Sequence, residues 1–253
     1  MRHISYIILI FVLLSCSSSN LITENNTNSE VNDTVETGDE GNNGENNSSE
    51  NEFDLKILAL GDSYTIGESV CVSCRFPVQL KDSLVNHLNT DISVDIIAQT
   101  GWTTTKLFEA IVDENPPLDF DLVTLLIGVN NQFQGKPFEL YEQEFPLLVS
   151  QAIALGQNDK NNVIVVSIPD YAYTPYGQNN ANPELTSSEI DAYNTFAENY
   201  CIENDITYVY ITDITRQGLI ETDLVASDNL HPSELAYTRF VERLLPLAIE
   251  KIE

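Results

Sequence analysis

Short apolar runs alternate with amphipathic stretches between residues 53 and 253, and this alternation constrains the fold more than any other feature of the sequence. Five runs are typical of buried strands: residues 55–60, 92–98, 122–127, 163–168 and 206–211. The stretches between and after them carry apolar residues at helical spacing: 77–89, 104–112, 139–154, 189–203 and 234–252. Strands that alternate with helices form parallel sheets through right-handed crossovers. The pattern therefore predicts one α/β domain with a five-stranded parallel sheet covered on both faces.

The N-terminal residues differ from this domain and are predicted to be a targeting segment. Arg2 precedes a short apolar run at residues 4–14, which fits a secretory signal better than a membrane-spanning helix. Leu13-Leu14-Ser15-Cys16 resembles a bacterial lipobox, in which the cysteine is diacylated and becomes the first mature residue. We therefore expect residues 1–16 to be a lipoprotein signal that anchors the protein to the cell envelope, at the outer membrane or periplasmic face. An ordinary signal peptide is the alternative.

Residues 17–52 are acidic and poor in apolar side chains. From Asn20 to Glu52 there are nine acidic residues, ten Asn, no Lys or Arg, and only four Leu, Ile or Val. So little apolar surface cannot offset the entropy of ordering the chain, which predicts a disordered tether before the domain at residues 53–253. The whole chain has a net charge of −28 and 11 basic residues, which argues against nucleic acid as a partner, since phosphate binding needs clustered Lys and Arg.

Cys71 and Cys74 form a Cys-x-x-Cys pair. In the oxidising compartment that a secretory signal implies, a structural disulfide is the first expectation. Zinc would need two further ligands, and a thioredoxin-like role does not fit the motif around the pair. Cys201 stands alone on a helical pattern, so no metal is expected.

Histidine is scarce, which narrows the search for a general base. His3 leaves with the signal segment, and His87 lies beside the apolar stripe of a predicted helix, where a partly buried structural role is expected. His231 precedes Pro232, which suits the first position of the last helix, so His231 should lie in the loop before it. Asp228, three residues earlier, can reach the imidazole Nδ1 and fix its tautomer. A solvated Asp beside a helix-capping His explains this segment equally well.

Polar turns follow the first three predicted strands, and such turns meet at one edge of a parallel sheet. Gly61 allows a tight turn, and Ser63 after it is either a nucleophile or a helix N-cap. Gly101 and Asn130 follow the second and third strands. The backbone N–H groups of Ser63 and Gly101 and the side-chain amide of Asn130 could stabilise an oxyanion, although Gly101 and Asn130 are also ordinary turn residues.

Together these features resemble the four ordered blocks of the GDSL/SGNH hydrolases: Gly61-Asp62-Ser63, Gly101, Gly128-Val129-Asn130 and Asp228-x-x-His231-Pro232. The blocks span residues 57–233, nearly the whole predicted domain. The resemblance implies a flavodoxin-like, three-layer α/β/α fold and ester hydrolysis through an acyl-enzyme, with no metal and no cofactor. It implies Ser63 as nucleophile, His231 as base and Asp228 as orienting acid, with Ser63, Gly101 and Asn130 forming the oxyanion hole.

Two positions depart from the family pattern, and one carboxylate rivals Asp228. Asn131 stands where many relatives carry Asp, and Tyr64 stands where the family name has Leu. Neither position performs the implied chemistry, so both should affect the shape of the pocket. Asp213, just after the fifth strand, is a rival acid that ranks below Asp228, because it lacks a fixed relation to His231.

Aromatic residues after the strand ends could line an acyl or aryl pocket, or could simply cover the sheet edge: Trp102, Phe133 and Tyr171, with Tyr173 and Tyr176. The absence of a long apolar lid favours short-chain or glycan O-acyl esters as substrates. A lysophospholipase or thioesterase is an alternative, as is a non-catalytic surface protein that binds a ligand.

The sequence disfavours two other α/β classes, the lipase-like α/β-hydrolases and the proteins with a phosphate-binding loop. Gly61-x-Ser63-x-Thr65 lacks the second Gly of the α/β-hydrolase nucleophile elbow. No Gly-Lys-Ser/Thr follows the first strand, as a phosphate-binding loop would require.

Overall fold

The computed structural model describes residues 54–253, whose centre is a five-stranded parallel sheet. Its strands are β1 (Leu55–Gly61), β2 (Ile92–Ala98), β3 (Leu122–Leu126), β4 (Val163–Val166) and β5 (Thr207–Val209). They lie side by side in the order β2-β1-β3-β4-β5. This order confirms the predicted flavodoxin-like α/β/α fold. The strand order reverses between β1 and β3, and ligands of such sheets bind outside the carboxyl ends at that point.

Helices connect the strands. The described part contains α1 (Ser63–Ile66), α2 (Phe76–Leu88), α3 (Thr104–Glu114), α4 (Val129–Phe133), α5 (Phe138–Leu155), α6 (Pro175–Asn180), α7 (Pro183–Glu203), α8 (Thr212–Thr215) and α9 (Glu234–Ile252). Short 3₁₀ helices lie at Val72–Cys74, Lys160–Asn162, Tyr171–Tyr173 and Thr222–Leu224.

The core is continuous through the sheet. Every residue of β3 and β4 is buried, because helices shield both faces of these central strands. Helices α2 and α9 pack against each other, while α5 packs against both α3 and α7. The largely apolar composition of β3 and β4, in which Thr124 is the polar exception, is therefore explained by burial of alternate side chains on opposite faces.

Two elements differ in length from the sequence prediction by three residues or more. Helix α7 begins at Pro183, six residues before the expected start, because the Asn182 side chain caps it by accepting from the Leu185 N–H. The first turns of α7 are largely exposed and carry no apolar stripe. Strand β5 is shorter than predicted, since its partner β4 ends at Val166 and the Ile211 N–H then donates to the Ser167 hydroxyl.

Two local expectations were wrong. His87 is exposed rather than partly buried, with its Nε2 3.6 Å from a carboxylate oxygen of Glu253. Pro232 is not the first residue of α9. Ser233 caps that helix by accepting from the Ala236 N–H, and Pro232 instead forms an antiparallel bridge with Val225. His231 nevertheless lies in the loop before the helix, as predicted.

The predicted signal segment with Cys16 and the acidic tether at residues 17–52 lie outside the described residues. Between residues 54 and 253, no helix has both the length and the apolar composition needed to cross a membrane.

Candidate active site

Ser63 lies where β1 passes into α1. Asp62 caps this short helix by accepting from the Tyr64 N–H at 3.0 Å, so Ser63 is the first helical residue and not the cap. A first-turn N–H has no acceptor within the helix and is available to other groups. Gly61 serves close packing, because a Cβ there would lie 2.1 Å from Thr65 Oγ1. A glycine at position 61 therefore allows β1 and α1 to approach closely enough to place Ser63 at the edge of the sheet.

His231 and Asp228 form the pair that the sequence suggested. The imidazole Nδ1 lies 2.6 Å from Asp228 Oδ2. The other carboxylate oxygen, Oδ1, accepts from the backbone N–H groups of Leu230 at 2.9 Å and of His231 at 3.0 Å. These two backbone bonds tie Oδ1 to its own turn, and the bond between Oδ2 and Nδ1 leaves the imidazole Nε2 directed away from Asp228.

The Asp228 carboxylate is held in its ionised form. Partial burial alone would raise its pKa, but hydrogen bonds from the Ser69 hydroxyl, from the His231 side chain and from two backbone N–H groups outweigh that effect and lower the pKa to about 2. An Asp228 carboxylate that is ionised at neutral pH can stabilise an imidazolium that forms on His231 during proton transfer.

One cavity joins the nucleophile and base candidates. It has a volume of about 160 Å³ and is lined by residues from four sheet-edge segments: Ser63, Tyr64, Thr100, Gly101, Val129, Asn130, Phe133, Tyr171, Leu230 and His231. Ser63 and His231 are both buried, at 3% and 8% exposure. The two side chains share this wall without a direct hydrogen bond between them, an arrangement that is common before substrate binds.

The oxyanion candidates Gly101 and Asn130 line the same cavity. Gly101 has a φ of +83°, a conformation that favours glycine, and its carbonyl is held by the Gln134 side chain at 2.8 Å. Asn130 Nδ2 donates to Asp62 Oδ2 at 3.2 Å. Since an amide nitrogen carries two hydrogens, Asn130 keeps a second donor for a ligand.

Asp62 contacts both the segment that carries Ser63 and the oxyanion candidate Asn130. Its side chain is fully buried, and its two oxygens accept separately from the Tyr64 N–H and from the Asn130 amide. Burial raises the pKa of Asp62 to about 7, although both hydrogen bonds favour the ionised form and limit the rise. Asp62 therefore links the position of Ser63 to the orientation of Asn130.

The predicted aromatic lining is present only in part. Phe133 packs edge-on against Tyr171, with 5.6 Å between ring centroids, and both line the cavity. Tyr171 is buried and donates its hydroxyl to Gln132. Tyr176 reaches the site indirectly, through its contact with Phe133. Trp102 does not line the cavity and packs, half-buried, against the core, so the structure does not support its substrate-binding role.

The two departures from the family pattern have different consequences. Tyr64 lines the cavity and packs against the His231 ring, with centroids 5.2 Å apart, so it does shape the pocket. Asn131 is fully buried and away from the cavity. Its amide bonds the backbone N–H and the hydroxyl of Thr104, which ties α4 to the start of α3. The expectation for Asn131 was therefore wrong.

Asp213 is engaged elsewhere. Its two carboxylate oxygens bind the guanidinium of Arg243 at 2.5 and 2.7 Å, and this pairing lowers the pKa of Asp213. The geometry therefore places Asp228, and not Asp213, beside His231.

The described region contains three cysteines, of which two are paired and one is free. Cys71 and Cys74 form a disulfide, which confirms that prediction, and Cys201 is buried and unpaired. Within residues 54–253, no group of three or more His, Cys, Asp or Glu side chains is arranged to hold a metal ion.

Sequence reasoning assigned no role to two residues of this site, Asp62 and Ser69. Asp62 could have been recognised as a helix cap, because it directly precedes a helix after a strand. Ser69 donates its hydroxyl to Asp228 Oδ2 at 2.6 Å across 159 residues of sequence. No local signal marks that contact, since Ser69 lies in a loop with no periodic pattern.

Comparisons with known proteins show the family of this chain. The pattern of the GDSL-like Lipase/Acylhydrolase family covers residues 59–239. An arylesterase from Vibrio mimicus is 28% identical over 122 residues, which are 46% of this chain and 57% of that protein. The matched part is thus little more than half of that relative's length.

Solved structures share the fold. A lipase from a goat rumen metagenome has a TM-score of 0.62 at 18% identity, covering 79% of this chain and 100% of that one. An acetylxylan esterase from Geobacillus stearothermophilus has a TM-score of 0.58 at 17% identity, with 78% and 94% covered. A lipase/acylhydrolase from Enterococcus faecalis has a TM-score of 0.57 at 18% identity, with 78% and 95% covered. With its sheet, site and sequence pattern all in agreement, the chain belongs to the GDSL-like lipase/acylhydrolase family.

Proposed function

We propose that this protein is a serine esterase that hydrolyses short-chain carboxylic or glycan O-acyl esters through an acyl-enzyme. The observation that carries the proposal is the shared cavity, on which Ser63 and the Asp228–His231 pair converge with Gly101 and Asn130. This is the set of groups that acyl transfer needs: a nucleophile, an oriented base and donors for a developing oxyanion.

The proposed reaction has two halves. His231 accepts the Ser63 proton as the hydroxyl attacks the ester carbonyl, while Asp228 stabilises the imidazolium. The N–H groups of Ser63 and Gly101 and the Asn130 amide hold the oxyanion. His231 then protonates the leaving alcohol, and in the second half it activates the water that releases the acid and restores Ser63.

The size of the cavity supports a small acyl group. Sites for drug-sized ligands have volumes of roughly 300–1,000 Å³. The cavity at Ser63 has about 160 Å³, and Phe133 and Tyr171 bound it with packed rings. A long acyl chain would have to displace those rings or leave the cavity, whereas an acetyl or butyryl group fits inside.

Labelling with a fluorophosphonate tests the reaction class. We expect the wild-type protein to be labelled and Ser63→Ala to remain unlabelled. Ser150→Ala, at an exposed serine of α5 whose hydroxyl donates to the Pro146 carbonyl of the same helix, serves as a matched control that should still react. An unlabelled wild-type protein would favour a binding protein that retains the fold.

A series of p-nitrophenyl esters tests the substrate. We expect kcat/KM to be highest for acetate to butyrate and to fall for longer chains. A steady rise to long acyl chains would instead favour a lysophospholipase or thioesterase. Replacing Phe133 by Ala should shift the optimum to longer chains, because it opens one wall of the cavity.

We also propose that the mature protein is anchored to the cell envelope through a lipid on Cys16, with residues 17–52 as the tether. The lipobox-like sequence Leu13-Leu14-Ser15-Cys16 supports this location. Expression in a bacterial host should place the wild-type protein in the membrane fraction and Cys16→Ser outside it. Equal partitioning of the two would remove the proposed anchor.

A further inference from the structure

The Asp228 carboxylate has four hydrogen-bond donors around it. A carboxylate offers about four lone-pair positions, two on each oxygen. Oδ1 takes the Leu230 and His231 backbone N–H groups, and Oδ2 takes the His231 Nδ1–H and the Ser69 hydroxyl, each at 2.6 Å. Three of the four donors come from the turn of Asp228 itself. Ser69 is the single one of these donors that comes from a distant part of the chain.

Ser69 belongs to the segment 67–75, which is fixed at several points. The carboxylate of its neighbour Glu68 accepts from the hydroxyl of Thr100, the residue before Gly101. The Cys71–Cys74 disulfide closes the far side of the segment, and the Cys74 carbonyl accepts from Gln79 of α2 at 2.6 Å. The segment therefore connects both sides of the cavity, the Asp228 side and the Gly101 side.

The backbone at Ser69 is unusual for a residue with a side chain. Its φ is +65°, in the left-handed region where glycine has no steric penalty. A glycine would form this loop more easily, but it would leave Asp228 Oδ2 without its second donor. The hydroxyl thus accounts for a serine in a conformation that favours glycine.

We infer that Ser69 is a positioning residue for catalysis: its hydroxyl holds the Asp228 carboxylate in the orientation that aligns His231 with Ser63. Ser69 does not line the cavity, so it acts through Asp228 and not on the substrate. The role rests on the proposed esterase function. The same hydrogen bond is also one of the main contributions that keep the Asp228 pKa low.

Steady-state kinetics with p-nitrophenyl acetate test the role through two substitutions with different backbone effects. Ser69→Ala and Ser69→Gly both remove the hydroxyl, but only glycine relieves the left-handed conformation. We expect kcat to fall about tenfold in both, since a hydrogen bond to a charged group is lost, with KM unchanged. Ser69→Asn, which tolerates the conformation and keeps a donor, should recover part of kcat. Ser73→Ala, in the same segment but bonded only to Cys71 Sγ, is the matched control and should behave as wild type.

Proton NMR supplies a readout that does not need turnover. The His231 Nδ1–H bound to Asp228 should give a downfield resonance, assigned by its loss in His231→Gln. We expect this resonance to shift or broaden in Ser69→Ala and Ser69→Gly and to stay unchanged in Ser73→Ala.

The outcomes separate this inference from the proposed function. The positioning role would be overturned by a wild-type kcat in Ser69→Gly, or by a rise in KM with no change in kcat in the Ser69 variants. An equal fall in kcat in Ser73→Ala would also overturn it. If the wild-type protein hydrolyses no ester and resists fluorophosphonate, the esterase proposal fails. The NMR resonance then tests the hydrogen bond between Ser69 and Asp228 without any need for turnover. An unshifted signal in Ser69→Ala would show that the hydroxyl does not hold Asp228.

Discussion

The buried carboxyl of Asp62 should make the stability of this domain depend on pH in a way that one substitution can isolate. Asp62→Asn removes the titrating group and leaves a side chain of nearly the same shape. Because burial raises the pKa of Asp62 from 3.8 to about 7, the folded state holds a proton that the unfolded state has already released between those values. The contribution of Asp62 is therefore fully favourable below about pH 4 and is lost as the pH rises to about 7.

The size of the effect follows from the two pKa values. One pKa unit corresponds to about 1.4 kcal/mol, so the full shift corresponds to about 4 kcal/mol. Between pH 5 and pH 8, linkage gives a loss of about 3 kcal/mol in the wild-type free energy of unfolding from this group. Asp62→Asn lacks that loss. It also carries a constant cost of about 1–3 kcal/mol, since the Tyr64 N–H and the Asn130 amide donate to different oxygens of Asp62, and an Asn side chain has an NH₂ group in place of one of them.

Urea denaturation at pH 5 and pH 8, at fixed ionic strength, measures the difference between the two proteins. We expect Asp62→Asn to gain about 3 kcal/mol relative to wild type over this range. Asp95→Asn, which removes an exposed negative charge from β2, is the control, and its difference from wild type should change little with pH. If the Asp62→Asn difference were the same at both pH values, Asp62 would be ionised throughout, and burial would not govern its titration.

Three further results are expected from the geometry of the site. Asp228→Asn should lower kcat by about 10⁴ while the circular dichroism spectrum is retained, because it would favour the wrong imidazole tautomer; unchanged turnover would exclude Asp228 as the acid. Asn130→Ala should lower kcat by about 10²–10³ with little change in KM, as loss of one oxyanion donor does; a pure KM effect would instead make Asn130 a substrate-binding residue. Replacing both Cys71 and Cys74 by Ala should reduce the free energy of unfolding by about 2 kcal/mol in urea, from the entropy of closing so short a loop, and an unchanged midpoint would mean that the disulfide does not stabilise the domain.

Much of the catalytic arrangement was predictable from the sequence, because its signals are local. Asp228 and His231 are three residues apart, so their contact depends on a single turn. Ser63, Gly101 and Asn130 each follow a strand, and the rule that parallel strands end at one sheet edge brings them together. The alternation of apolar runs likewise determined the sheet, because a strand buried on both faces is apolar at nearly every position, as β3 is except at Thr124.

The tertiary structure alone decided features that depend on contacts between distant segments. Ser69 reaches Asp228 across 159 residues, and no pattern within the loop predicts that pairing. The raised pKa of Asp62 comes from its complete burial. Whether Trp102 lines the cavity or packs against the core likewise depends on tertiary packing, which sequence spacing does not specify. Periodicity reports which face of an element is buried, whereas burial of one atom or the meeting of two side chains depends on how all the elements pack together.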